Sequence, residues 1–264
     1  MPDLGSMLVV LILLSAAAAA GFVANSRLQE KHRSRDSIEL VDLAISLLVT
    51  FTAIVLGLLT NSVKGGFDTA YAARGSYAAQ LTQLDRCFAD FGPETAPTRA
   101  DLRAYVAAVI ASTWPDEPPP IDVKHPDVSN MHLTGENQEL AQIFDRIGRA
   151  AMALQSSDFA KSNQAAACRQ TYADASRSRW VVIEGVRKSI STPFYWVLVF
   201  WLSILFGSLG LRAPPNKMSL IVIGLSIVSV ATAMFVILDL DTPYGGLFGI
   251  PSTSMRAALA DMMR

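Results

Sequence analysis

The chain has 264 residues, 22 basic and 23 acidic, for a net charge of −1, and only 17% of it is charged against 51% hydrophobic. A mean hydropathy of +0.33 with so little charge excludes an ordinary water-soluble domain, and a pI near 6.3 leaves no basic face for a nucleic acid.

The apolar residues are concentrated in four runs. Residues 4–24 form the first, long enough to cross a hydrocarbon core of about 30 Å, which takes roughly 20 helical residues. A secretory signal would open on a basic stretch, whereas this run follows Met1-Pro2-Asp3, so it reads as a span that is kept. A short loop with Arg27, Lys31, Arg33 and Arg35 leads to the second run, residues 40–60. The third and fourth, residues 194–211 and 218–238, are joined by a loop containing Arg212 and Lys217. The sequence therefore predicts an all-α membrane protein. Its parts are a hairpin over residues 1–62, a helical extramembrane insert over 63–192, and a second hairpin over 193–264 with a short C-terminal tail. Basic residues in both short loops place those loops in the cytoplasm. The insert and both termini then lie outside, in a multi-pass protein of a bacterial-type inner or plasma membrane. Lys64, Arg74, Arg187 and Lys188 on the other side soften that asymmetry. Small residues at 16–21, Gly57, 207–210 and 224–229 let helices in lipid approach closely.

Along the second span, Asp42, Ser46, Thr50, Ala53, Gly57, Thr60 and Lys64 recur every three or four residues, a stripe of acidic, hydroxyl and small side chains with Leu, Ile and Val opposite. An ionisable residue at a span is costly unless it faces water or a partner, so Asp42 and its stripe predict either a pore lining or a tightly packed polar contact. One lining helix per chain requires several chains around an axis.

Beyond that span, Tyr77, Leu81, Leu84, Phe88 and Phe91 alternate at spacings of four and three, and before the third span Cys168, Tyr172, Ala175, Val182 and Val186 do nearly the same. These stripes predict two helices running on from the membrane as an antiparallel pair, with Gly65-Gly66 and Gly75 as points where the first can bend. Cys87 lies 25 residues past Ser62 and Cys168 lies 25 before Pro193. At about 1.5 Å per residue both sit roughly 37 Å out, level with each other. Equal heights permit a disulfide between them; two unpaired thiols on apolar stripes are the alternative. A bond would place the insert in an oxidising compartment.

Within the insert, Thr98 is a candidate N-cap for a helix through Leu102, Tyr105, Val106 and Val109 that ends at Trp114-Pro115, and Thr134 for one through Leu140, Ile143, Phe144, Ile147, Ala151 and Leu154. Between them lies a loop rich in Pro and Asp. Asp122, His125, Asp127, His132 and Glu136 there are metal-ligand types without ligand spacing, so a solvated loop is the reading; no metal, cofactor or catalytic constellation is expected. After a further stripe at Ser226, Ser229, Ala233 and Val236, the fourth span ends in Asp239-Leu240-Asp241-Thr242-Pro243-Tyr244-Gly245-Gly246. Asp239 and Asp241 are candidates to hold a cation at a pore mouth, but Asp followed by Pro and Gly-Gly favours a stop and turn.

The two-spans, insert, two-spans layout, with residues 48–59 closing the second span and residues 238–246 closing the fourth, resembles the bestrophin-like domain family of unknown function. The resemblance covers about residues 40–109 and 193–259. That family is similar to the bestrophins, pentameric anion channels whose second spans line the pore. It implies a homo-oligomer, a pentamer by analogy, in membrane lipid, with the stripe from Asp42 to Thr60 facing an axis and an anion as the permeant ion. Thr242 stands where the family pattern carries a basic residue, Phe51 alone stands where bestrophins cluster gate aromatics, and the tail to Arg264 has no acidic calcium clasp. The rival reading is a non-conducting sensor or scaffold whose insert binds a partner.

Overall fold

The structure, a computed structural model, describes residues 2–27, 35–128, 136–185, 192–214 and 216–264. Its helices are α1 (Pro2–Arg27), α2 (Arg35–Phe91), α3 (Ala96–Thr113), α4 (Gln138–Ala153), α5 (Phe159–Glu184), α6 (Thr192–Arg212), α7 (Lys217–Leu240) and α8 (Thr253–Met262), and no strand occurs among the described residues. Four of them, α1, α2, α6 and α7, contain stretches long and apolar enough to cross a membrane. The protein is all-α, with four spans and a helical insert. Lys31, Arg33, His132, Thr134, Val186, Arg187 and Lys188 lie outside the described residues.

Two compact units make up the chain: a membrane unit of residues 1–67, 188–242 and 246–248, and an insert unit of 68–187, 243–245 and 249–264. One helix of 57 residues, α2, contributes to both, and neither Gly65-Gly66 nor Gly75 interrupts it.

In the membrane unit α1 and α6 run side by side in the same direction, at the closest approach the backbone permits. A Cβ on Gly21 would run into the carbonyl oxygen of Gly207, and one on Gly210 into that of Ala18. In lipid there is no water to expel from between two apolar helices, so their association depends on such backbone proximity and dense packing. Val10, Leu14, Leu198, Leu202 and Phe206 fill the seam, and α7 closes it with Ile223, Ile227 and Met234. The Asn25 amide donates to the Ala213 carbonyl at 3.5 Å, and Asp42 pairs with Arg212. The C-terminal ends of α1 and α6 and the start of α2 therefore meet at one end of this unit.

The insert unit has its own core. Tyr77, Leu81, Leu84 and Phe88 of α2 share one buried cluster with Leu102, Val106 and Ile110 of α3, Phe144 and Ile147 of α4, and Ala175 and Val182 of α5. Cys87 and Cys168 are bonded, with Cα atoms 5.5 Å apart. Further back along α2, Tyr77 shares a 2.7 Å hydrogen bond with Tyr105, which accepts at 3.1 Å from Arg179, further forward along α5. The predicted antiparallel pairing of these two helices follows from those contacts.

Two expected caps are corrected. α3 begins at Ala96, with Pro97 in its first turn and Thr95, not Thr98, at the N-cap. Proline lacks the N–H that a first turn leaves unbonded anyway, so the helix starts there rather than after it. α4 is capped by Asn137, whose side chain accepts from the amides of Glu139 and Leu140 at 2.9 and 3.1 Å.

The tail, to which the sequence reading assigned no partner, forms α8 and joins the insert core through Met255, Leu259 and Met262. The Trp114 indole donates to the Ile250 carbonyl at 2.7 Å, and the Ser252 hydroxyl and Arg256 guanidinium both donate to Glu117.

Candidate functional site

At 100° per residue the membrane segment of α2 presents three faces. Val55, Leu56 and Leu59 pack against the membrane-unit core, flanked by buried Thr52 and Val63. A second face is aliphatic and open: Leu40, Leu43, Leu47, Ile54 and Leu58 are each 54–69% exposed. The third is the predicted stripe. Ser46, Thr50, Ala53, Gly57 and Thr60 are all exposed, and a Cβ on Gly57 would meet nothing within 4 Å. The small residues of this stripe thus serve no packing within the chain, in contrast to Gly21, Gly207 and Gly210.

The stripe hydroxyls are tied locally: Thr50 donates to the Ser46 carbonyl at 2.8 Å and Thr60 to the Leu56 carbonyl at 2.7 Å. Each donor is thereby satisfied by its own helix, and the oxygen lone pairs remain outward as weak acceptors. Between Asp42 and Lys64 the segment contains no ionisable residue. Asp42 lies between the stripe and the packed face and turns to Arg212 on α6, each side chain about two-fifths exposed. Hydropathy reading missed this partner, although Arg212 at the α6 terminus was visible as a loop charge. Arg212 also borders a groove of about 390 Å³ walled by Ile45, Leu209, Met218 and Val222. At the other end, the Lys64 ammonium sits 5.9 Å from the Phe67 ring centroid.

On α7, Ser229 and Ala233 are exposed while Ser226 and Val236 are half-buried. The stop and turn favoured for residues 239–246 is present. Asp239 is 1% exposed, and its carboxylate accepts from the amides of Leu247 and Phe248 at 2.8 Å each. Gly246 has φ +76°, and a Cβ there would run into that carboxylate, so both the backbone conformation and the contact demand glycine. Asp241 is also buried.

In the insert unit, Arg74 is 4% exposed and packs against the edge-on pair of Trp114 and Tyr244, its guanidinium 5.1 and 4.5 Å from their ring centroids, while its Nε donates to the Tyr244 hydroxyl at 3.1 Å. Tyr244 belongs to the motif that closes the fourth span. Nothing local in the sequence links it to Arg74. Among the metal-type residues of the loop, the Glu136 carboxylate accepts from Arg179 at 2.8 Å and His125 Nδ1 lies 2.8 Å from the Pro126 carbonyl. No group of three or more potential metal ligands occurs among the described residues. The hydrogen bond from Ser252, reinforced by Arg256, holds the Glu117 carboxyl below the usual carboxylate range.

A family model described as Bestrophin-like domain matches residues 12–255, from within the first span through the insert and the other three spans. No curated protein and no solved structure matches the chain.

Proposed function

The chain belongs to the bestrophin-like domain family, and on that premise we propose that it is a homo-oligomeric ion channel of the membrane, with the stripe of α2 lining the pore. One observation carries the reading: α2 packs on its own chain through one face and leaves a separate face of hydroxyl and small side chains uncovered from Ser46 to Thr60. A second face, of leucine and isoleucine, suits lipid, so the polar face is the one a water-filled axis would take. Family resemblance alone supplies the pentamer and the preference for an anion. Cys87–Cys168 supports an insert on the oxidising side, with both short basic loops in the cytoplasm. Asp239 and Asp241 stand beside the turn that follows α7; a cation held there would compete with the amides already bonded to Asp239.

The test is flux through purified protein in liposomes. Thr50→Phe should abolish flux while the oligomer keeps its size in detergent. An unsubstituted protein that is monomeric in detergent, or oligomeric and without flux, ends the reading. A non-conducting sensor or scaffold is favoured by one observation, the insert's independent core and disulfide. In that case Thr50→Phe either changes nothing or breaks the assembly.

A further inference from the structure

We propose that Arg212 is a selectivity-determining residue of the pore, cancelling the charge of Asp42 at the end where the two short loops lie. This rests on the pore reading above. A lining without ionisable groups between Asp42 and Lys64 leaves discrimination between anions and cations to charges at its two ends. At one end the stripe face of α2 itself carries Glu39 and Asp42, an acidic pair repeated in every subunit, with the basic residues of the short loops beside it.

The geometry around Asp42 alters that charge. Asp42 sits at the border between the stripe and the face that packs on the membrane-unit core, so its carboxylate can turn either toward the axis or toward α6. Arg212, the last residue of α6, meets it there as an ion pair. A cation in the last turn of α6 is also favoured by the helix dipole. Both partners are about two-fifths exposed, so the pair contributes little to stability. Its effect is instead on the field: per subunit, one of the two acidic charges on the α2 stripe, Glu39 and Asp42, is offset and drawn off the axis. A cleft lined by one sign of charge raises the local concentration of the opposite ion by about 10–1,000-fold, so removing the offset should be visible in permeation.

The experiment uses the full chain in liposomes under a potassium chloride gradient and reads the cation-to-anion permeability ratio. Arg212→Gln uncovers Asp42 and should raise that ratio, roughly tenfold at the lower end of that range. Asp42→Asn alone uncovers the guanidinium and should lower it. The double substitution removes both charges and should return the ratio to the unsubstituted value. Should Arg212→Gln fail to assemble, the opposite-signed shift of Asp42→Asn carries the decision. Conducting variants whose ratio is unchanged, or a double substitution that keeps the shift of either single one, overturn the assignment. Absence of flux from the unsubstituted protein overturns the pore reading itself, and this one with it.

Discussion

Replacing Cys87 and Cys168 together by alanine tests the architecture of the insert most directly. The bond closes a loop across a sequence separation of 81. In the chain-entropy account, opening a loop of that length frees the unfolded chain by about 4.5 kcal/mol, and measured losses for native disulfides are about 2–5 kcal/mol. Cys168 is fully buried and Cys87 partly so, and alanine adds no unpaired hydroxyl there. For a unit of this size such a loss lowers the melting temperature by roughly 10 °C or more. Thermal unfolding of the full chain in detergent, followed by fluorescence with buried Trp114 among the reporters, should show that drop, and reductant should reproduce it in the unsubstituted protein. A shift of less than about 3 °C would refute the closed loop. So would two thiols that react with maleimide in denaturant without prior reduction.

Gly210→Val puts a branched side chain where the Ala18 carbonyl lies and should cost about 1–3 kcal/mol or more, read as a lower melting temperature in detergent. Gly57→Val, with open space around it in the chain, should leave a dissociated subunit unaffected and change only assembly or flux. Asp239→Asn replaces one acceptor oxygen by a donor facing amides, and losing a charged hydrogen bond there should cost about 1.5–3 kcal/mol of stability. Because Glu117 is held below its ordinary range, the contact with Ser252 and Arg256 stabilises the fold above the unfolded-state pKa and is lost as pH falls through the folded one. Melting curves of Glu117→Gln and the unsubstituted protein should therefore differ near pH 6, and the difference should shrink as the pH falls below the ordinary carboxylate range and vanish below the folded-state pKa of Glu117.

Legibility in the sequence followed the range of the interactions. The heptad-like stripes through Tyr77 to Phe91 and through Cys168 to Val182 announced the paired helices, and equal distances from the membrane brought the two cysteines level. Helix starts were read less well, because Thr98 and Thr134 have capping side chains whereas Pro97 and Asn137 win on local geometry. The pore stripe was visible as a pattern, but a pattern of small residues has two meanings in lipid. Gly21, Gly210 and Gly57 look alike in sequence; the first two are pressed against another backbone and the third is not.

By itself, the amino-acid sequence determined the four spans, the helical class, the level cysteines and the polar stripe of α2, because hydropathy and helical periodicity are properties of neighbouring residues. Only the tertiary structure decided which face of α2 is packed, that Asp42 meets Arg212, that Tyr244 lies on Arg74, and that α8 completes the insert core. Those contacts join residues far apart along the chain, 170 positions in the case of Arg74 and Tyr244. Their choice depends on how much close packing and charge compensation the whole fold gains, which no single segment encodes.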